Sequence, residues 1–75
     1  MTLTRELCRA VRVYLGLNQQ ELARRAGISV STVRDFERGL RVPVKQNLLA
    51  LTRYFEEQEG FDLGKLEAAF TRSRI

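Results

Sequence analysis

Thirteen lysines and arginines, nine carboxylates, one cysteine and no histidine are the groups with which this 75-residue chain could do chemistry. They do not assemble into a catalytic set. Cys8 has no histidine and no second cysteine to activate it, so it reads as a small buried or half-buried thiol. The same counts exclude an internal disulfide and point away from a Cys/His metal site. Asp35 and Glu37 are close in sequence, but adjacent faces of one helix do not make an acid–base cleft. No phosphate loop is visible, and neither a cofactor nor a small-molecule ligand is implied. The chain does not read as an enzyme. What remains is hydrogen bonding and charge. Residues 1–55 hold ten Lys/Arg against four Asp/Glu, a net +6, while residues 56–75 hold three against five, a net −2. A basic excess gathered in one part of a chain suits a polyanion-binding surface. Arg-rich helices also solvate well, so charge alone leaves both readings open.

Side chains that meet a polyanion need rigid elements to hold them. The stretch from Asn18 to Gly39, NQQELARRAGISVSTVRDFERG, supplies two. Asn18 is a good N-cap, and Glu21 three residues on completes a capping box. A helix then runs from Gln19 to about Ala26 and buries Leu22, Ala23 and Ala26. Gly27 follows, where a sharp exit needs the left-handed backbone that glycine adopts freely. Ser29 caps a second helix, which buries Val33 and Phe36 and leaves Ser31, Arg34, Asp35 and Arg38 outward. Gly39 ends it. Two helices joined this tightly form a helix-turn-helix unit, the arrangement whose second helix can enter the DNA major groove.

The unit resembles the Cro/repressor-type (XRE-type) helix-turn-helix of phage repressors and small bacterial regulators. Leu17, Gln19, Glu21, Leu22, Ala23, Gly27, Val33, Glu37 and Gly39, then Arg41 and Pro43, carry the resemblance, which runs from about Leu7 to Phe55. It implies an all-α, five-helix, lambda-repressor-like domain that binds a double-stranded DNA operator. It also implies base reading by Val30, Ser31, Thr32, Arg34 and Asp35, at the start of the second helix and one turn on. Val30 can meet a thymine methyl, and Arg34 can reach guanine O6 and N7. Ser31 and Thr32 can donate to base or phosphate, or can serve the helix start alone. Asp35 can accept from cytosine N4 or orient a neighbouring arginine such as Arg38. The resemblance sets Asn18 and Gln19 against the DNA backbone at a helix N-terminus. Arg38, Arg41 and Lys45 are the further backbone contacts it implies. It pairs Arg12 with Glu37, two charges near the core that must satisfy each other.

The remaining chain supplies the supports. After a short lead-in, Thr4 can cap a helix from about Arg5 to Leu15, with Leu7, Val11, Tyr14 and Leu15 as its apolar stripe. Pro43 opens or just precedes a helix from about Val44 to Gln58, with Leu48, Leu51, Phe55 and either Leu49 or Tyr54 inward. Gly60 breaks that helix, and Asp62 can cap a last one from Leu63 to about Thr71. Phe61, Leu63, Leu66 and Phe70 give this tail an apolar stripe that can finish the core or form a homodimer interface. Residues 1–75 read as a single domain, with the helix-turn-helix unit at 18–39 and a dimerisation segment at 60–75. No apolar run is long enough to span a membrane, and no signal peptide is apparent. The expectation is a cytoplasmic, bacterial or phage-encoded regulator of the kind carried by mobile genetic elements. It would act as an autoregulatory repressor binding a pseudo-palindromic operator as a homodimer, with RNA polymerase as a conceivable further partner. An antitoxin, or a protein-binding adaptor on the same fold, is the alternative.

Overall fold

The computed structural model describes residues 3–58. The described residues form four α-helices and no strand: α1 (Arg5–Tyr14), α2 (Gln19–Ala26), α3 (Val30–Glu37) and α4 (Lys45–Glu56). The fifth helix expected over 63–71 lies outside the described residues, as do Phe61, Leu63, Leu66 and Phe70.

Local chemistry starts and stops these helices. Thr4 Oγ1 accepts the Leu7 N–H at 3.1 Å and caps α1. The capping box of α2 is complete: Asn18 Oδ1 accepts the Glu21 N–H at 2.7 Å, and Glu21 Oε1 accepts the Asn18 N–H at 2.9 Å. Ser29 Oγ accepts the Thr32 N–H at 3.2 Å at the start of α3. α4 begins after Val44 with no side-chain cap. Gly27 is left-handed at φ +76°, and the Ile28 N–H turns back to the Ala23 carbonyl at 2.9 Å. That bond satisfies a carbonyl the helix end would otherwise leave open.

One core joins the four helices. Leu7, Cys8 and Val11 of α1, Leu22 and Ala23 of α2, Val33 and Phe36 of α3, and Leu51 and Phe55 of α4 are all buried. Leu3 is buried with them, so this residue of the lead-in belongs to the core. Leu3 directly precedes the Thr4 cap and Cys8 sits four positions into the helix, the pair of places where a hydrophobic staple forms. Tyr14 leaves the expected stripe and is 78% exposed. With Cys8 inside, the centre of the stripe turns toward Leu15, which packs on the core, and away from Tyr14. α4 is shorter than expected at both ends. Of its two candidate inner residues, Tyr54 packs against the core and Leu49 is exposed.

Candidate nucleic-acid interface

The side chain of Glu37, the last residue of α3, is only 4% exposed. A buried carboxylate is tolerable only when its charge and its lone pairs are met. Arg12 of α1 meets the charge with two parallel bonds, Nε to Oε2 at 2.8 Å and Nη2 to Oε1 at 3.0 Å. The third nitrogen of that guanidinium, Nη1, donates to the Leu17 carbonyl at 2.7 Å and holds the α1–α2 loop. Gln19 Nε2 donates to Glu37 Oε1 at 3.1 Å, and the Cys8 thiol lies 3.8 Å from Oε2. Burial, reinforced by the facing carboxylate, pushes the Cys8 thiol up to about 12 and keeps it neutral. The hydrogen bonds to Glu37 raise the Arg12 pKa further. α1, α2 and α3 therefore meet at one carboxylate, which fixes how α3 sits on the other two.

What α3 presents outward is its face from Val30 to Asp35. Val33 and Phe36 point into the core, which leaves Val30 and Ser31 exposed and Thr32, Arg34 and Asp35 half-exposed. The hydroxyls of Ser29, Ser31 and Thr32 cluster at the helix start, with Ser29 Oγ 3.2 Å from Ser31 Oγ and 2.7 Å from Thr32 Oγ1. Asp35 lies nearest Arg34, Oδ1 to Nε at 3.8 Å, rather than beside Arg38. Adjacent placement on the helix lets Arg34 fold back to that carboxylate, whereas Arg38 turns outward at the helix end. The Arg38 carbonyl instead accepts from Arg5 Nη1 at 3.4 Å, which ties the start of α1 to the end of α3.

The loop after α3 folds back alongside it. The Leu40 and Arg41 N–H groups both donate to the Asp35 carbonyl, at 2.9 and 3.3 Å. This sets Arg41 beside the outer face of α3. A cleft of about 180 Å³ opens there, lined by Ser31, Thr32 and Asp35 from α3 and by Arg41, Val42, Pro43, Val44 and Asn47. Arg38, Arg41 and Lys45 are exposed, from the end of α3 to the first residue of α4. Val44 provides no side-chain cap, and its carbonyl accepts the Asn47 and Leu48 N–H groups at 2.9 and 3.0 Å, so α4 opens on backbone bonds alone. Asn18, by contrast, spends its side-chain oxygen on capping α2, and Gln19 turns its amide inward to Glu37.

A family model described as helix-turn-helix matches residues 9–60. The chain belongs to this helix-turn-helix family. It is of the Cro/XRE type, a DNA-binding transcriptional regulator with the lambda-repressor-like fold. No curated protein matches the chain significantly. The match spans all four helices apart from the first residues of α1, so the regulator's Arg12–Glu37 pair and the outward face of α3 both lie inside it.

Two contributors to this surface escaped sequence reasoning. Asn47 lines the cleft beside Arg41, and its signal was its place in the first turn of an uncapped α4. Arg5 reaches across to the end of α3 from a distance of 33 residues in sequence, a contact that no local pattern announces. Among the described residues, no helix is long and apolar enough to cross a membrane.

Proposed function

We propose that this regulator binds a pseudo-palindromic operator as a homodimer and represses its own promoter. The observation that carries the reading is the free N-terminal face of α3. Val30 and Ser31 are exposed there, the Arg34 side chain is 43% exposed, and exposed Arg38 and Arg41 follow directly. Val30, Ser31, Thr32, Arg34 and Asp35 are the base-reading set of this proposal. Arg34 supplies the fork that fits a guanine edge, and Asp35 steadies it from 3.8 Å. Arg38, Arg41 and Lys45 hold phosphates, together with the N-termini of α2 at Asn18 and Gln19 and of α4.

The homodimer rests on the tail. Phe61, Leu63, Leu66 and Phe70 provide more apolar surface than a domain of this size readily covers. A two-fold protein then matches a two-fold site. Repression is the default effect, since a bound dimer excludes polymerase by occupancy alone. Such a protein works where its DNA is, in the cytoplasm of a bacterial host.

Selection from a pool of random duplex DNA tests this directly. The expected product is an inverted repeat whose half-sites lie about 34–36 Å apart. A single half-site with no symmetry would remove the homodimer. Enrichment of no duplex would remove operator binding and leave the adaptor reading. Sedimentation at micromolar concentration should show a dimer, alone or on the enriched duplex.

A further inference from the structure

The two helices of the unit are joined at one end by Gly27–Ser29 and are free at the other. The free ends are Gln19, the first residue of α2, and Glu37, the last residue of α3. Gln19 Nε2 donates to Glu37 Oε1 across that gap at 3.1 Å. The orientation of the amide follows from chemistry. Both oxygens of Glu37 already accept from Arg12, so the nitrogen of Gln19 must face it.

The bond has no ready substitute. A carboxylate offers about four acceptor positions. Here they meet Arg12 Nε, Arg12 Nη2, the Cys8 thiol and Gln19 Nε2. Arg12 and Cys8 come from α1, and Gln19 alone comes from α2. With the Glu37 side chain 4% exposed, water does not replace a lost donor.

We propose that Gln19 is a positioning residue for DNA binding. Its side-chain amide closes the open end of the helix-turn-helix and sets the angle at which α3 is offered to the groove, while only its backbone N–H belongs to the phosphate-holding N-terminus of α2. This rests on the operator-binding reading. The turn at Gly27 and the shared core of Leu22, Ala23, Val33 and Phe36 hold the pair together, and a strut at the far end adds a directed constraint on its opening. A base-reading face works only when its side chains arrive at the base edges while the backbone contacts are made, so loosening the strut weakens recognition without removing any DNA contact.

Two variants test it, with the duplex that the wild-type protein enriches from a random pool as the probe. Gln19→Met removes the donor and keeps the bulk, and should bind that duplex roughly tenfold more weakly. Gln19→Glu puts a carboxyl against Glu37, with Arg12 and Cys8 as the other groups facing it. The pKa of the new carboxyl is then raised in the folded protein by the like charge. Its penalty is full above that raised value and absent below the unfolded value, where the protonated carboxyl can donate as the amide did. Binding by Gln19→Glu should therefore be the weaker of the two near pH 8, and should approach wild type toward about pH 5. Affinities are read well below the melting temperature, so unfolding does not enter.

Melting of the free protein supplies the control that a phosphate ligand would not move. The gap in melting temperature between Gln19→Glu and wild type should narrow as pH falls. A gap that stays constant with pH, or affinities equal to wild type, overturns the inference while wild-type binding leaves the operator reading intact. A wild-type protein that enriches no duplex overturns that reading and the inference with it.

Discussion

Glu37 is a full charge in a nearly closed site, held by two nitrogens of Arg12. Breaking such a pair leaves the surviving charge buried and unmatched, which costs about 3–5 kcal/mol. Arg12→Met and Glu37→Gln should each approach that loss in denaturant melts, and the double variant should lose less than their sum. Additive losses would mean that the two groups do not depend on each other. Cys8 makes a separate prediction. Its thiol ionises near 9.0 when free and is pushed up to about 12 by burial. The buried neutral thiol thus favours the folded state fully below pH 9.0, and this contribution is lost as pH rises toward about 12. Cys8→Ala should lose stability less steeply than wild type over that range, and parallel curves would contradict it. At the DNA surface, Arg34 and Arg41 should fail differently. Arg34→Ala should cost about 1–3 kcal/mol on the enriched duplex and much less on scrambled DNA. Arg41→Ala should weaken both alike and lower the salt slope by about one unit per contact. Equal losses for Arg34→Ala on both duplexes would make it a phosphate clamp.

At the scale of elements, each helix is framed by the residue before its cap and the fourth residue within it. Leu3 and Cys8 frame α1, Leu17 and Leu22 α2, Ile28 and Val33 α3, and Pro43 and Leu48 α4, all of them buried or packed on the core. These apolar brackets fix where the chain enters each helix. The exits depend on glycine. Gly27 and Gly39 have φ of +76° and +77°. A side chain at Gly27 would meet nothing within 4 Å, so Gly27→Ala should cost only the backbone strain, about 1–2 kcal/mol. At Gly39 the added carbon would also run into the Arg5 guanidinium. The Arg5 side chain is half-exposed and can swing aside, so Gly39→Ala should cost the same backbone strain, about 1–2 kcal/mol, with or without Arg5. Denaturant melts check both, and a neutral Gly27→Ala would contradict the strain argument. The caps, the turn and the bounds of α2 and α3 were legible in sequence because they depend on residues three or four apart. Burial of Leu3, exposure of Tyr14 and the inward turn of Gln19 were not. Each depends on where a distant helix lies, and for Gln19 the deciding partner is 18 residues away.

At the scale of the molecule, the basic excess lies in residues 1–55, which include the four described helices except the last residue of α4, and the acidic balance lies in residues 56–75. In the proposed complex this division would draw the helix-turn-helix toward DNA and hold the end of α4, with exposed Glu56 and Glu57, away from it. Charge alone gives affinity without selectivity, and the exposed start of α3 must supply the rest. The central claim is that both are present in one small chain. It is tested by titrating the wild-type protein with its enriched duplex and with a scrambled duplex of the same composition, each at several salt concentrations. Both affinities should fall as salt rises, and the enriched duplex should be preferred by about 10³-fold or more. Equal affinity for the two duplexes at every salt concentration would contradict the account, leaving a basic surface with no reading helix.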